Sequence, residues 1–387
     1  MNKLENKNII IATHVFATGP AQDLKEFLLL NKINKLLFVG HPLFYDIKLN
    51  GSGYEIYKQG KKITETYKKI KKLWEPWSYL KSIILNFYWS FKQKTKWDIY
   101  IGSNNLNAFS GLLLKYVKRT NKVIYYVIDY NPKRFKSKIL NKIYHWVDQF
   151  CVRHCDETWN LSPRMEQARL EYFGFADKKQ KIVPIGIWFK RIKKYNFNEI
   201  NKHTLVFMGH LIKKQGIQYV LRAIPGILKE IPDFKFLIIG DGNYAEYLKK
   251  MAQDFKINEC LEFTGYLKDH ANIENKLAKS ALAVALYEKY DQNNNLTFTY
   301  FADPSKIKVY LGCGVPILLT DVPHNSKEIL NKKCGLIIDD DKENITRAVI
   351  NLMKNEELLK QFRKNALNYA KQFDWNLIFY KNLSKIL

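Results

Sequence analysis

Apolar, strand-like segments that alternate with helical segments constrain the fold of this chain more than any other feature. Six short runs rich in Val, Ile, Leu and Phe recur in the second half of the chain, and helical segments fill the gaps between them. These runs are 204–208, 236–239, 261–264, 282–286, 316–319 and 335–338. Because parallel strands need crossover connections, the alternation predicts a parallel sheet covered by helices.

The first half of the chain follows the same plan, with apolar runs at 8–13, 36–40, 98–102 and 123–128. The polar, basic segment 190–202 separates the two halves. We therefore predict an α/β chain with two Rossmann-like, doubly wound domains that face each other across a cleft. Ligands of such sheets bind outside the carboxyl ends of the strands, so the cleft is the expected site.

The 387-residue chain has a formal net charge of +26, which is unevenly placed. Residues 1–200 contain 36 Lys and Arg against 16 Asp and Glu, whereas residues 201–387 contain 27 against 21. Both nucleic acid and an anionic membrane are negatively charged partners that would be attracted to such a basic chain. An AT-rich genome that places Lys at surface positions explains it equally well. None of the usual nucleic-acid recognition motifs is visible, so we expect no nucleic-acid partner.

The five cysteines favour a reducing compartment, because their number is odd and four of them lie in or beside apolar segments. Cys151 and Cys155 flank His154, but no second pair lies at ligand spacing, so no metal site and no cofactor are predicted. We see no signal peptide and no run of about eighteen uncharged apolar residues. The expected location is cytoplasmic, with peripheral attachment to the inner membrane face.

Glycines follow three of the strand-like runs in the second half, at Gly209, Gly240 and Gly265. One glycine after a strand is more often only a turn, but three in order suit a backbone that closely approaches a phosphate. The stretch 303–316 follows them and reads Asp-Pro-Ser-Lys-Ile-Lys-Val-Tyr-Leu-Gly-Cys-Gly-Val-Pro. Its pattern predicts a loop, a short helix and a tight turn before a buried strand.

This stretch and the glycine turns resemble the nucleotide-sugar signature of GT-B glycosyltransferases, especially the retaining family-four type. The resemblance covers residues 204–340 well and the first half only in architecture. It implies transfer of a hexose from a nucleotide-diphosphate sugar to a glycan or lipid-linked acceptor, with retention and without a metal. It also implies an acceptor-binding domain at 1–195, a nucleotide-sugar-binding domain at 196–370 and a closing helix at 371–387 that returns to the first domain.

The resemblance assigns donor-diphosphate binding to the loop that holds Gly209, His210, Lys213 and Lys214. The family usually has Arg where this chain has His210, and Lys where it has Gln215. Ordinary solvated surface lysines are the alternative interpretation of Lys213 and Lys214.

Four further residues are assigned to the donor by the same resemblance. Gly240 and Gly242 match the second glycine turn of the family. Tyr266 and Leu267 lie where main-chain groups commonly contact the base.

The main departure from the family concerns its two Glu residues eight positions apart, because this chain has Phe301 and Val309 there. The second Glu of the family typically binds the nucleotide ribose. Asp303 is left as a catalytic candidate that holds donor-sugar hydroxyls, and Lys306 as the cation for the leaving diphosphate. A helix N-cap beside Pro304 is the alternative role of Asp303.

In the first half, Asp129 directly follows the run 123–128, where a cleft residue is expected, and it is the second catalytic candidate. Its carboxylate would orient or deprotonate an acceptor hydroxyl, although a plain turn residue fits equally well. Gly19, in the loop after the first strand, is expected to approach the donor phosphate. The family often has two glycines there, and this chain has one.

The segment 68–96 mixes lysines with aromatic and aliphatic residues in a helical pattern. Such a mixture suits a helix in a membrane interface, and an ordinary core stripe is the alternative. The residues are Trp74, Trp77, Tyr79, Leu80, Ile83, Ile84, Phe87, Tyr88 and Phe91, with Lys71, Lys72, Lys81, Lys92, Lys94 and Lys96.

Other functions remain open at this point. A sugar-nucleotide 2-epimerase would have the same architecture. A basic nucleic-acid-binding protein would explain the charge, and an inactive glycan-binding relative would explain the departures from the family motif.

Overall fold

The computed structural model describes residues 4–14, 18–42, 51–69, 75–135 and 137–386. These residues form two compact units. The first unit comprises Met1–Pro184 and Trp375–Leu387, and the second comprises Ile185–Asp374. Each unit is built around one sheet whose strands are wholly or largely parallel, which confirms the predicted fold class.

Within its described residues, the first unit begins with eight strands and five helices. The strands are β1 (Asn8–Thr13), β2 (Lys35–Gly40), β3 (Gly51–Lys58), β4 (Lys61–Lys69), β5 (Trp97–Ser103), β6 (Thr120–Val127), β7 (Glu157–Asn160) and β8 (Gln180–Ile182). The helices are α1 (Pro20–Leu30), α2 (Glu75–Lys92), α3 (Asn105–Tyr116), α4 (Lys138–His154) and α5 (Pro163–Phe173).

The strand order of the first sheet is β4-β3-β2-β1-β5-β6-β7-β8. After β1 the chain adds β2 on one side and later β5 on the other, so the topological switch point lies between β1 and β5. A crevice at the carboxyl ends of these strands is where such sheets bind ligands.

An antiparallel hairpin of β3 and β4 completes one edge of the first sheet. The prediction of an all-parallel sheet lacked this hairpin. Its turn residues Gln59 and Gly60 have φ values of 49° and 78°. Two successive positive values are the mark of a type I′ turn, whose twist matches that of the flanking strands.

The second unit contains six strands and eight helices. The strands are β9 (Asn201–Met208), β10 (Lys235–Ile239), β11 (Leu261–Gly265), β12 (Ser280–Ala285), β13 (Ile317–Leu319) and β14 (Gly335–Ile337). The helices are α6 (Ile217–Glu230), α7 (Ala245–Asp254), α8 (His270–Ala278), α9 (Phe298–Phe301), α10 (Ser305–Gly312), α11 (Ser326–Asn331), α12 (Lys342–Lys354) and α13 (Glu356–Ala370).

All strand pairs of the second sheet are parallel, in the order β11-β10-β9-β12-β13-β14. Its switch point therefore lies between β9 and β12. Helices cover the sheet with amphipathic faces: on α6 the buried residues Ile217, Val220, Leu221, Ile224 and Ile227 recur at helical spacing. Complete burial of such a side chain contributes about 1.5–3 kcal/mol, so this face fixes α6 against the sheet.

The last helix, α14 (Trp375–Leu383), belongs to the first unit. The Phe379 ring stacks on Trp375 with the centroids 4.6 Å apart and lies 5.5 Å from the Phe27 ring of α1. These buried aromatic contacts tie the end of the chain to the beginning of the same unit.

All five cysteines are buried and free. Within the described ranges, no helix has the length and hydropathy needed to cross a bilayer.

Candidate active site

Backbone hydrogen bonds join the loops that follow β9, β10 and β11 in the second unit. The Gly209 N–H donates to Ile239 O at 2.9 Å, and the Gly240 N–H donates to Gly265 O at 3.0 Å. A side chain on Gly240 would collide with the carbonyl of Gly209, and one on Gly242 would collide with the carbonyl of Leu211. The predicted glycines thus lie together and bring bare backbone to the carboxyl ends of the strands.

Lys306 extends from the first turn of α10 to the same place. Its Nζ donates to Gln215 Oε1 at 2.6 Å and lies 4.2 Å from the centroid of the Phe207 ring. A Cβ atom on Gly209 would lie 2.8 Å from this Nζ. The amine therefore borders the glycine loop and reaches the loop position where the resembled family usually has a lysine.

The Lys306 amine has no carboxylate partner among the described residues. Its removal from water lowers its pKa from 10.5 to about 7. A bound anion would favour the charged form and remove this penalty. An amine in this state, beside exposed backbone, suits a phosphate group.

His210, Lys213 and Lys214 lie on the same loop with exposed side chains. Lys213–Gln215 forms one turn of 3₁₀-helix, and Gln218 Nε2 donates to Lys213 O at 3.0 Å. The backbone of this turn is fixed, whereas the two lysine side chains extend into solvent. The structure therefore brings Lys306, rather than Lys213 or Lys214, against the glycines.

Tyr266 and Leu267 follow the edge strand β11. The Tyr266 side chain is exposed, and that of Leu267 is half-buried. Val309 lies one helical turn after Lys306 on α10, is half-buried and packs against the core. At this position the chain therefore has an apolar side chain where the resembled family has Glu.

The Asp303 carboxylate is fully buried and has three partners. Oδ1 lies 3.1 Å from Lys308 Nζ and 3.1 Å from His324 Nε2. Oδ2 accepts the Ile185 N–H at 2.9 Å. Although burial by itself raises the pKa of Asp303, Lys308 and His324 outweigh it, and the pKa lies below its ordinary value. The N-cap of α10 is Pro304, so Asp303 connects segments of the second unit and does not cap the helix.

Asp129 follows β6 in the first unit and is half-exposed. Its Oδ2 accepts a hydrogen bond from Arg134 Nη1 at 2.5 Å. Both residues line a cavity of about 330 Å³ at the carboxyl ends of β1, β5 and β6. Gly19 is the N-cap of α1, and its carbonyl accepts the N–H groups of Gln22 and Asp23.

His14 lines the same cavity, and sequence reasoning missed it. The residue directly follows β1, at the switch point of the first sheet. That position was the available signal, because polar residues just past a strand at a switch point are ligand candidates.

No group of three or more His, Cys, Asp and Glu side chains within the described ranges is arranged to hold a metal ion.

The profile of the family Glycosyl transferases group 1 matches residues 189–369. An uncharacterized glycosyltransferase of Methanocaldococcus jannaschii is 25% identical over 286 residues, which span 70% of this chain and 69% of that protein. Anabaena HepE, solved in complex with UDP, shares the fold with a TM-score of 0.70 at 14% identity, over 98% of this chain and 100% of that one. This chain is a glycosyltransferase with the GT-B fold, and its residues 189–369 are similar to the group 1 family. The resemblance predicted from 303–316 and the glycine turns is thereby confirmed.

A further relative of this glycosyltransferase is the alpha-monoglucosyldiacylglycerol synthase of Streptococcus pneumoniae. The two are 26% identical over 172 residues, which span 41% of this chain and 39% of that protein.

Proposed function

We propose that this glycosyltransferase transfers a hexose from a nucleotide-diphosphate sugar to a hydroxyl of a glycan or lipid-linked acceptor. The observation that carries this proposal is the Lys306 amine, which lies against Gly209 at the switch point of the second sheet with no carboxylate partner among the described residues. A diphosphate supplies the charge that this amine lacks.

The same arrangement suits the departure of the nucleotide. Negative charge grows on the diphosphate as the glycosidic bond breaks, and a cation already held in place stabilises that charge in the transition state. The glycines let the loops at Gly209, Gly240 and Gly242 pack closely on one another, so that backbone groups rather than side chains lie at the carboxyl ends of the strands, where the phosphates bind in this proposal. Lys213 and Lys214 add a weaker, solvated charge around them, and His210 adds a solvated hydrogen-bonding side chain. This role of lysine would allow transfer without a metal.

The remaining candidates have supporting roles in this proposal. Tyr266 and Leu267 contact the base, and Gly19 approaches the donor phosphate from the loop after β1. Asp129 orients or deprotonates the acceptor hydroxyl. Asp303 is a positioning residue, because its buried contacts with Lys308 and His324 fix the segment that leads into α10.

A panel of nucleotide sugars tests the proposal. The protein is incubated with UDP-, GDP-, ADP- and dTDP-hexoses, and unfolding is followed by differential scanning fluorimetry. A true donor raises the unfolding temperature, because it binds the folded state alone. If none of these donors shifts the transition at millimolar concentration, the proposal is wrong.

The selected donor is then supplied with lipid-linked acceptors, and the product is examined by NMR. We expect the anomeric configuration of the donor to be kept and the rate to be unchanged by EDTA. An incubation without acceptor distinguishes the 2-epimerase alternative, which would convert the donor sugar by itself.

Membrane attachment rests on an apolar surface that α2, α3 and α4 form on the first unit. Its side chains are all exposed, and exposed apolar side chains in such number often mark a contact with a membrane or a protein. They are Trp77, Leu80, Ile84, Tyr88, Phe91, Leu113, Tyr116, Val117, Ile139, Ile143 and Trp146. Exposed lysines accompany them, including Lys92, Lys118, Lys138 and Lys142. Apolar and basic groups on one surface suit an anionic bilayer. The predicted Lys71, Lys72 and Trp74 lie outside the described residues.

Sedimentation with vesicles tests this attachment. We expect binding to vesicles that contain phosphatidylglycerol at low salt, and weaker binding at high salt. Phe91→Glu with Tyr116→Glu should reduce binding at least tenfold, whereas Leu170→Glu on α5 is the control. No binding at low salt would exclude the attachment.

A further inference from the structure

The cavity of the first unit has an apolar wall and a polar end. The wall is formed by Leu80, Ile83, Leu140, Ile143 and Val147. The polar end lies at the carboxyl ends of the strands and includes His14, Asp129 and Arg134. We propose that this cavity binds an amphiphilic acceptor, whose hydroxyl-bearing head accepts a hydrogen bond from His14 Nε2 and whose apolar chain lies along the wall. The inference rests on the proposed function and specifies its acceptor.

Two amides determine which nitrogen of His14 carries the proton. Asn104 Nδ2 lies 2.6 Å and Asn107 Nδ2 2.9 Å from His14 Nδ1. Asn104 Oδ1 accepts the Asn107 N–H at 3.1 Å, so its amide nitrogen must face the histidine. Asn107 Nδ2 also donates to Ser103 O at 3.1 Å, so the nitrogen of that amide, too, is the atom that faces His14. Nδ1 is therefore an acceptor, and the proton is on Nε2.

A buried hydrogen-bond chain holds this arrangement from behind. Asn86 Nδ2 donates to Asn107 Oδ1 at 2.8 Å, and Asn86 Oδ1 lies 2.9 Å from His41 Nε2. His41 Nδ1 in turn lies 2.9 Å from Ser52 Oγ. Burial, helped by the charges of His41 and Arg134, lowers the pKa of His14 to about 3. The imidazole is thus neutral at physiological pH and acts as a fixed donor.

The Nε2–H of His14 has no hydrogen-bond partner among the described residues, although His14 is only 4% exposed. A buried donor without an acceptor is costly, so such groups usually mark a place that a ligand or water completes. A hydroxyl oxygen of an acceptor head group satisfies it. Asp129, which the proposed chemistry needs as the base, lines the same cavity at the carboxyl ends of the strands.

The wall of the cavity continues to the molecular surface. Leu80 is 45% and Ile143 54% exposed. Both belong to the apolar surface described above, so an alkyl chain that leaves the cavity stays on apolar side chains. A free sugar would leave this wall uncovered, whereas an amphiphile covers it.

Direct binding of soluble probes tests the inference without a nucleotide. The affinities of n-octyl β-D-glucopyranoside, below its micelle concentration, and methyl β-D-glucopyranoside are compared by calorimetry. The pair 1-O-octylglycerol and glycerol repeats the comparison with another head group. Each buried methylene contributes roughly fourfold in affinity, so we expect the octyl compound of at least one pair to bind at least tenfold more tightly.

Two sets of variants locate the binding. Ile143→Glu should abolish the octyl preference, whereas Leu170→Glu, at a residue that is 55% exposed on α5, should keep it. His14→Ala should weaken binding of the octyl compound at least fivefold, and His14→Gln, which retains a donor, should recover most of it.

Equal binding of octyl and short compounds, or an octyl preference that survives Ile143→Glu, would overturn the amphiphile assignment. Unchanged binding by His14→Ala would overturn the His14 contact. If His14→Ala does not fold, the Ile143 and Leu170 pair still decides whether the cavity binds the chain. Nucleotide binding by the second unit is measured separately, so failure there leaves this result unaffected.

Discussion

The two sheets have the same kind of switch point, but different groups surround it. In the second unit, bare backbone at Gly209 and Gly240 meets one lysine amine without a carboxylate partner in the described structure. In the first unit, a neutral histidine and an Asp–Arg pair stand at the end of an apolar cavity. A phosphate fits the first set of groups and an amphiphile with a hydroxyl fits the second, so topology determines where ligands bind and side chains determine which ones.

The sites in the first and second units also differ in their net charge. Arg134 is already paired with Asp129 at 2.5 Å, so the first site has little net charge to offer. Lys306 has no carboxylate partner in the part of the chain that the structure describes, and its pKa is lowered, so the second site gains when an anion arrives.

The largest effect is expected at the buried pair behind the second site. Asp303→Asn leaves Lys308, only 1% exposed, without its counter-charge, which should lower the free energy of unfolding by about 3–5 kcal/mol. Denaturant titration measures the loss. The double variant Asp303→Leu with Lys308→Met should recover most of it, and a stable Asp303→Asn protein would show that the pair does not hold the segment.

Backbone crowding predicts the next effect. Gly240→Ala places a methyl group against the Gly209 carbonyl at a φ of 138°. We expect a loss of about 3 kcal/mol and no donor binding. The control is Gly265→Ala, where φ is 68° but no atom lies within 4 Å of the added Cβ; strain alone should cost about 1 kcal/mol there. If Gly240→Ala and Gly265→Ala lowered the free energy of unfolding equally, crowding against the Gly209 carbonyl would not be the cause of the loss.

In the first unit the expected effect is on rate. Asp129→Asn keeps an oxygen for Arg134 but removes the base, so transfer should slow about 100-fold. The dissociation constant of the donor should stay within about threefold. Asp156→Asn is the matched control, because Asp156 is also paired with a cation, Lys115, but does not line the cavity. If Asp129→Asn weakened donor binding instead, Asp129 would belong to the donor site, and its assignment to the acceptor would be wrong.

The pH dependence of donor binding follows from Lys306. Its pKa in the free protein is about 7, and a bound diphosphate raises it. Below pH 7 the amine is charged with or without ligand, so affinity should be constant. Above pH 7 binding takes up a proton, so affinity for a nucleotide sugar should fall by up to tenfold per pH unit. Lys306→Met should remove this slope, and an unchanged slope would assign it to another group.

The sequence was sufficient for much of the second unit. Apolar runs and strand-terminal glycines identified the strands, and the stretch 303–316 identified the family, because these signals are local in the chain. The hairpin β3–β4 was missed because Gln59-Gly60 is a weak turn signal beside Asn-Gly or Asp-Gly. Strands β7 (Glu-Thr-Trp-Asn) and β8 (Gln-Lys-Ile) were missed because they are short and mostly polar, whereas the equally short β13 and β14 were found because they are apolar.

Side-chain partners were harder to predict, because they come from distant parts of the chain. The sequence offers Asp303 as an N-cap or a sugar ligand, but Ile185 and His324, which bind it, lie 118 and 21 residues away. His14 meets Asn104 and Asn107 across 90 and 93 residues. The strand order of the sheet brings these distant residues together, and no local pattern in the sequence indicates that they will meet.

The central claim is that a nucleotide diphosphate binds beside Lys306. Calorimetric titration of UDP, GDP and ADP and their hexose derivatives tests it on three proteins: the wild type, Lys306→Met and Lys213→Met. We expect at least one nucleotide sugar to bind the wild type, Lys306→Met to weaken it by about 10–100-fold through loss of a charge-assisted hydrogen bond, and Lys213→Met to stay within about threefold. Absence of binding to the wild type, or undiminished binding to Lys306→Met, would contradict the claim.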